Sequence, residues 1–339
     1  MAEKTREAGI DFLKAFSISL VLVWHLKVFI MSTLSDQSSV DLLIKNIVAY
    51  AFHYFLMLSI PSFITISLYF FYRKLVQAPD YWKQRIFRLV QIYVFWVGIQ
   101  FILYVILSGD YHLPLKTIFR SGGPDLPWLS SHMPSPSIFY YLYALLFCTV
   151  LAYLFFKLPE KIKLVVFIVV VAGSCIYFFI ASASGWTIDT RSMRNWYVYV
   201  PIAYYLFRYQ ERFVRMRWFF LAGFLVAVLV EYLLGGMLTA FGRVSVFLET
   251  LTAIAFCISG WGKISRPTAL LSRYSLGLYA LHPYWMGLVM VGYALLHGGP
   301  QAYPPRMLYE GVVMFFITLG LTFLSVWLIG KTRLRMFVA

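Results

Sequence analysis

The first apolar segment carries three residues whose types and spacing could do chemistry together. Lys14 and His25 are eleven residues apart, which on an α-helix is three turns plus about 20°, so they share a face roughly 16 Å apart along the axis. Asp11 lies within about one eighth of a turn of the same line. One interpretation is a channel in which Lys14 neutralises an anion and His25 acts as a base. The alternative is that Lys14 reaches the interface beside Asp11 while His25 bonds a neighbouring helix.

Two later apolar segments also carry polar side chains whose position in or beside the membrane needs an explanation. Arg85 and Arg88 open the third apolar segment, and residues three apart share a helix face, so their guanidinium groups could clamp a phosphate or pyrophosphate. The alternative is an ordinary interfacial anchor. His282 lies in the middle of the ninth segment before Pro283, which interrupts the helix ladder and could open a polar pocket. A structural histidine is the alternative there.

Carboxylates in the last spans are the remaining candidates. Each could pair with an arginine or carry protons, because an ionised side chain at membrane depth is costly without a partner. These residues are Glu231, Glu249 and Glu310.

The elements that must position these residues follow from composition. Of the 339 residues, 61% are hydrophobic and 13% charged, whereas a soluble domain has about 45–50% and about 25%. A soluble globular protein and a disordered chain are both excluded. Since a spanning helix needs about 20 apolar residues, we predict an all-α polytopic membrane protein, one domain over 1–339 without a soluble extra domain. About ten transmembrane helices are expected, at 10–31, 45–72, 87–108, 137–156, 164–183, 195–209, 218–237, 244–261, 274–296 and 307–329.

The charge distribution orients these spans. The net charge is +15, and with the N-terminus inside, 20 of the 29 basic residues fall on the cytoplasmic side. Both termini are therefore expected in the cytoplasm, by the positive-inside rule. The basic excess is topological, so nucleic acid is not an expected partner. Metal is not expected either, because all three cysteines lie within apolar runs: Cys148, Cys175 and Cys257.

Several of these residues fall into one family pattern. The chain resembles the acyltransferase 3 family of integral membrane O-acyltransferases, in a divergent, polysaccharide-modifying branch. Two positions depart from that pattern: lysine stands at 14 in place of arginine, and leucine at 68 in place of glycine. The matching elements, in order, are Asp11-Phe12-Leu13-Lys14 with His25, residues 60–68 with Ser67, Arg85 with Arg88, Phe139-Tyr140-Tyr141-Leu142, and Tyr274 to His282.

The resemblance implies a reaction and a set of roles. An acyl group, in the simplest case acetyl, would pass from cytoplasmic acyl-CoA to a hydroxyl of an extracytoplasmic carbohydrate or exopolysaccharide, across the cell's inner (plasma) membrane. Acetyl-CoA or another acyl-CoA is then the donor, and the lipid bilayer the surroundings. The implied donor-binding residues are Arg85, Arg88, Lys14 and Ser67. The implied catalytic residues are His25, as base or acyl carrier, with Lys14 and Asp11, and the acceptor-side candidates are His282, Trp128 and Glu249.

Two other classes of function stay open on sequence grounds. A transporter of glycans or lipid-linked sugars would also need a basic, polar core. A receptor or scaffold would tolerate alanine at Lys14, His25, Arg85 and Arg88 without loss of function. Transfer of labelled acetyl groups to an oligosaccharide separates the enzyme from both.

Overall fold

A computed structural model describes residues 2–34, 38–108, 139–189, 191–234, 241–262, 264–297, 305 and 307–338. In these ranges all regular secondary structure is helical, as the composition predicts. The polar stretch 109–136, including Trp128, lies outside the described residues. The α-helices are α1 (Ala2–Met31), α2 (Ser39–Phe55), α3 (Ser59–Gln77), α4 (Tyr81–Ser108), α5 (Tyr140–Lys157), α6 (Glu160–Ala183), α7 (Tyr199–Arg208), α8 (Gln210–Arg215), α9 (Arg217–Leu233), α10 (Val244–Ile258), α11 (Arg266–Arg273), α12 (Ser275–Leu296) and α13 (Leu308–Ile329).

Six segments are long and apolar enough to cross a membrane. The other predicted spans are helical too, but α7, α9 and α10 have only 10, 17 and 15 residues, and α12 carries a histidine and a proline at its centre. Length and hydropathy therefore establish a helical membrane protein in the described part of the chain. The six segments are Ala8–Met31, Ser39–Gln77, Tyr81–Ile106, Tyr140–Lys157, Glu160–Ala183 and Leu308–Ile329.

The second predicted span, 45–72, is not one helix. α2 ends at Phe55 and α3 begins at Ser59, and Pro61 fits because the first turn of a helix needs no donor from its backbone nitrogens. The last carbonyl groups of α2 lack partners within the helix. One of them, the carbonyl oxygen of His53, accepts a hydrogen bond from Arg243, the N-cap residue of α10. The residues on both sides of the break are apolar, so hydropathy alone predicts one continuous span there.

Helix α1 packs against α3, α10, α11, α12 and α13. Two glycines allow α1 to lie close to α10 and to α13. A Cβ at Gly9 would lie 1.8 Å from the carbonyl oxygen of Cys257 in α10, and one at Gly311 in α13 would lie 2.3 Å from that of Phe29. Small residues let membrane helices pack backbone to backbone, so these contacts fix the helix that carries Lys14 and His25.

Candidate active site

A cavity of about 530 Å³ opens among α1, α3, α4, α5 and the α11–α12 region. Its volume is in the range of small-molecule sites. Basic side chains dominate its ionisable lining, with one carboxylate, Asp11, among the described residues there. The basic residues are Lys14, Lys74, Arg85, Arg88 and Arg273.

Lys14 is held at the cavity by its own helix. Its Nζ lies 3.5 Å from Oδ1 of Asp11, one turn earlier, and the Lys14 side chain stays 28% exposed. Ser272 donates a hydrogen bond of 2.8 Å to the same carboxylate oxygen, which ties α1 to α11. The ammonium also lies 5.2 Å from the centre of the Phe70 ring. The structure therefore brings Asp11 and Lys14 together, as their spacing predicts.

The two arginines of α4 face the same cavity. Arg85 donates a hydrogen bond from Nη2 to Oγ of Ser67 on α3, so α3 orients this guanidinium. Arg88, one turn further along, also lines the cavity. All four residues that the resemblance implies for donor binding, Lys14, Ser67, Arg85 and Arg88, are thus gathered around one space, although they come from three helices.

Sequence reasoning missed part of this lining. From sequence, Lys74 and Arg273 count only as topological charges, yet both face the cavity with Tyr141. The short helix α11 is absent from the predicted spans, although Ser265 caps it with Thr268 and a proline stands in its first turn, which are standard start signals. Arg273 is the last residue of α11 and lines the cavity, so it is not a loop charge.

His25 lies beside His282, with 5.0 Å between the ring centres. His282 is fully buried, whereas His25 is half-buried. Nδ1 of His282 lies 3.0 Å from the carbonyl oxygen of Leu278; a carbonyl only accepts, so Nδ1 is the donor, and in the neutral ring Nε2 then carries the lone pair. Among the described residues this Nε2 has no hydrogen-bond partner. The geometry supplies a buried acceptor next to the His25 ring.

A row of aromatic rings joins the basic cavity to the histidine pair. Tyr141, in the cavity wall, lies 5.3 Å from Tyr279 between ring centres. Tyr279 in turn lies 6.2 Å from His282. Neither histidine lines the basic cavity itself. The two groups are therefore neighbouring parts of one core, joined through α5 and α12.

Comparison with known proteins decides the family. The model of an acyltransferase domain family, acyltransferase 3, matches residues 7–331. The chain belongs to the acyltransferase 3 family. Comparisons with curated proteins and with solved structures give no match. The resemblance predicted from the sequence motifs is confirmed, and the protein is a membrane acyltransferase.

The remaining acceptor-side candidate of this acyltransferase, Glu249, lies in a buried charged cluster. Glu249 is 5% exposed. Nearby, Nη1 of the fully buried Arg243 lies 3.5 Å from Oε2 of Glu231, and Ser245 donates hydrogen bonds to both oxygens of Glu231. From sequence, Arg243 counts as a loop charge; the structure buries it, because Glu231 and the His53 carbonyl compensate for its lost hydration.

The acyltransferase shows no metal centre in the part of the chain that the structure describes. Its histidines, cysteines and carboxylates form no group of three or more that could bind an ion there. The polar groups of the described site are imidazole, ammonium, guanidinium and hydroxyl groups and the carboxylate of Asp11.

Proposed function

We propose that this membrane acyltransferase transfers an acyl group, in the simplest case acetyl, from cytoplasmic acyl-CoA to a hydroxyl group of an extracytoplasmic carbohydrate. The observation that carries the proposal is the cavity with five basic residues and one acidic residue, joined by aromatic rings to a histidine pair. The ten-span topology with both termini in the cytoplasm, in the inner membrane, is part of the proposal. It places the basic cavity on the cytoplasmic side.

The cavity suits the charged end of acyl-CoA. Guanidinium groups bind phosphate oxygens in bidentate fashion, and an ammonium contributes a compact point charge. Arg85 and Arg88 are proposed to bind the phosphates, with Ser67 orienting Arg85 and Lys14 neutralising charge deeper in the bundle. Lys74 and Arg273, which the structure places in the cavity lining, are proposed to extend the same binding surface.

His25 is proposed to act on the reacting groups. As a general base it removes the proton of the acceptor hydroxyl, whose oxygen attacks the thioester carbonyl carbon. The carbon–sulfur bond then breaks, and the CoA thiolate takes up a proton, which gives an ester and free CoA. As an acyl carrier, a His25 nitrogen attacks the thioester carbonyl carbon, the carbon–sulfur bond breaks, and CoA leaves with a proton. The acceptor hydroxyl then takes the acyl group from the acyl-imidazole and gives its proton back to the freed imidazole. Incubation with labelled acetyl-CoA but no acceptor separates the two, since only the carrier retains label.

His282 is proposed to orient His25. The two rings lie 5.0 Å apart between centres, and among the described residues Nε2 of His282 has no hydrogen bond. In the reacting complex His25 is proposed to turn its N–H to this Nε2, so that the other His25 nitrogen keeps a lone pair for the reaction, as the catalytic histidine does beside its partner in a triad. With His282 given this role, Trp128 and Glu249 are the acceptor-side residues that stay predictions. Asp11 is proposed to fix Lys14 through their ion pair.

The deciding experiment measures donor binding and transfer separately. The purified protein in detergent is given labelled acetyl-CoA with a panel of hexose and hexosamine oligosaccharides, and CoA release and labelled sugar are followed. Arg85→Gln with Arg88→Gln is expected to weaken CoA binding about 150-fold or more, because each of the two lost charged hydrogen bonds is worth about 1.5–3 kcal/mol. Arg333→Gln, an exposed cation at the C-terminal end, is the matched control. Unchanged CoA affinity in the double variant contradicts the assignment of the cavity.

A sugar transporter is the second candidate, because a basic core also suits a phosphate-linked sugar. It predicts movement of intact sugar across proteoliposomes without CoA release. Acetylated sugar that forms with wild-type protein, and is lost with His25→Ala, excludes it.

A further inference from the structure

A second cavity lies on the outside of the bundle, away from the proposed reaction. It is a groove of about 750 Å³ between α6 and α7 on one side and α8, α9 and α10 on the other. No step of the proposed transfer uses it. The groove is cationic at one end and apolar along the rest of its length.

Two exposed basic residues, Lys161 and Arg212, line the cationic end. Among the described residues of the lining, the one carboxylate is that of Glu160, and it is already engaged. Lys163 lies 2.8 Å from its Oε1, and Tyr204 donates a hydrogen bond of 2.8 Å to the same oxygen. The charge that this end offers to a ligand is therefore positive.

The walls beyond that end are apolar. From Lys161 to Val171 along α6 the groove extends over ten residues, roughly 15 Å, which is about half the thickness of the hydrocarbon core of a bilayer. Phe167, Phe247 and Leu251 line the walls over this depth. Phe219 at the rim is 70% exposed, so the groove opens sideways towards lipid.

The cationic end lies on the same side of the bundle as the basic cavity. Tyr69 on α3 donates a hydrogen bond of 3.2 Å to Gln210, at the start of α8. The neighbouring Phe70 contacts Lys14 of the cavity. Under the proposed topology this is the cytoplasmic leaflet, where anionic lipids meet basic side chains.

From this polarity we infer that the groove binds one phospholipid with an anionic headgroup. The phosphate lies between Lys161 and Arg212. One acyl chain lies along the apolar walls of the groove, to the depth of a single leaflet. A soluble phosphate compound would leave the apolar length unfilled, and a zwitterionic lipid would not use the net positive end. Lipid binding here does not depend on the acyl transfer proposed above.

Competition between lipids tests the inference on the full chain. Native mass spectrometry of protein purified in detergent with equal phosphatidylglycerol and phosphatidylcholine is expected to show preferential retention of one phosphatidylglycerol. Lys161→Gln with Arg212→Gln is expected to reduce that preference about tenfold or more, since each cation near anionic lipid contributes on the order of 1 kcal/mol. The matched control, Arg333→Gln with Arg335→Gln, removes two exposed cations elsewhere and is expected to leave the preference unchanged.

A second variant tests the apolar wall. Leu164, which is 49% exposed in the groove, is replaced by tryptophan, so the charges stay while the chain site is filled. Loss of the retained lipid supports the inference, whereas full retention shows adsorption to surface charge and overturns it. Equal retention of both lipids by the wild-type protein, or displacement of the lipid by glycerol 3-phosphate, also overturns it.

Discussion

The proposed orienting role of His282 gives the sharpest prediction, because a substitution there can remove one hydrogen-bond acceptor while most of the side-chain volume is kept. Nδ1 is bound to the carbonyl oxygen of Leu278, and Nε2 is buried without a partner among the described residues. His282→Leu keeps most of the volume and removes the acceptor. In the proposed reacting complex Nε2 accepts the N–H of His25, so the variant leaves that half-buried N–H unpaired, which costs about 1–3 kcal/mol. The expected loss in kcat is therefore about 5- to 150-fold.

The same variant is expected to leave KM for acyl-CoA unchanged, since neither histidine lines the basic cavity. His25→Ala is expected to lose about 10²–10⁴-fold, the range of a general base, and addition of His282→Leu to it should cost little more. His282→Gln places an amide oxygen near the lost acceptor and is expected to recover part of kcat. The assay is CoA release at saturating acceptor, with both kinetic constants measured.

Three results would refute the orienting role. The first is full kcat in His282→Leu. The second is an equal fold-loss in kcat from His282→Leu in the wild type and in the His25→Ala background. Residues that work as a unit are not additive, so equal losses would show that His282 acts independently of His25. The third is a rise in KM for acyl-CoA at constant kcat, which assigns His282 to binding instead.

Three other substitutions test the scaffold and the cavity. Gly311→Ala places a methyl group against an α1 carbonyl and is expected to destabilise the protein by about 1–3 kcal/mol; Gly320→Ala, with open space around its Cβ, should not lower the detergent melting temperature. Arg243→Met leaves Glu231 buried without its cation, at a cost of about 3–5 kcal/mol, and adding Glu231→Gln should restore much of the melting temperature. Lys14→Met is expected to raise KM for acyl-CoA at least tenfold, whereas Lys14→Arg, which keeps the charge, should stay within a few-fold of wild type; equal effects of the two changes would contradict a role for charge.

Local spacing predicted those parts of the site that one helix can position. Lys14 with Asp11, and Arg85 with Arg88, are near neighbours in sequence, so helical periodicity alone puts each pair on a face. Ser67 was reached only through the family resemblance. Its bond to Arg85 depends on how α3 packs against α4, which no periodicity encodes.

Other features depend on contacts between distant segments and could not be predicted. The approach of His25 to His282 requires α1 to pack against α12, and the sequence offers only two isolated histidines. Arg243 looked like a loop charge because a hydropathy window does not register the ion pair that allows its burial. The division of 45–72 into α2 and α3 was hidden for the same reason, since the arginine that binds the end of α2 comes from far along the chain.

Lysine at position 14 is compatible with the arrangement around it. The planar fork of an arginine is best used where two oxygens of a phosphate are bound side by side, and in this cavity Arg85 and Arg88 already supply such groups. Lys14 lies on the helix that leads to His25, between a carboxylate 3.5 Å away and the Phe70 ring. Under the proposed transfer, a compact charge there neutralises an anion with less bulk than a guanidinium group. The departure from the family pattern is thus compatible with the proposed catalysis, since the position requires a cation more than a fork.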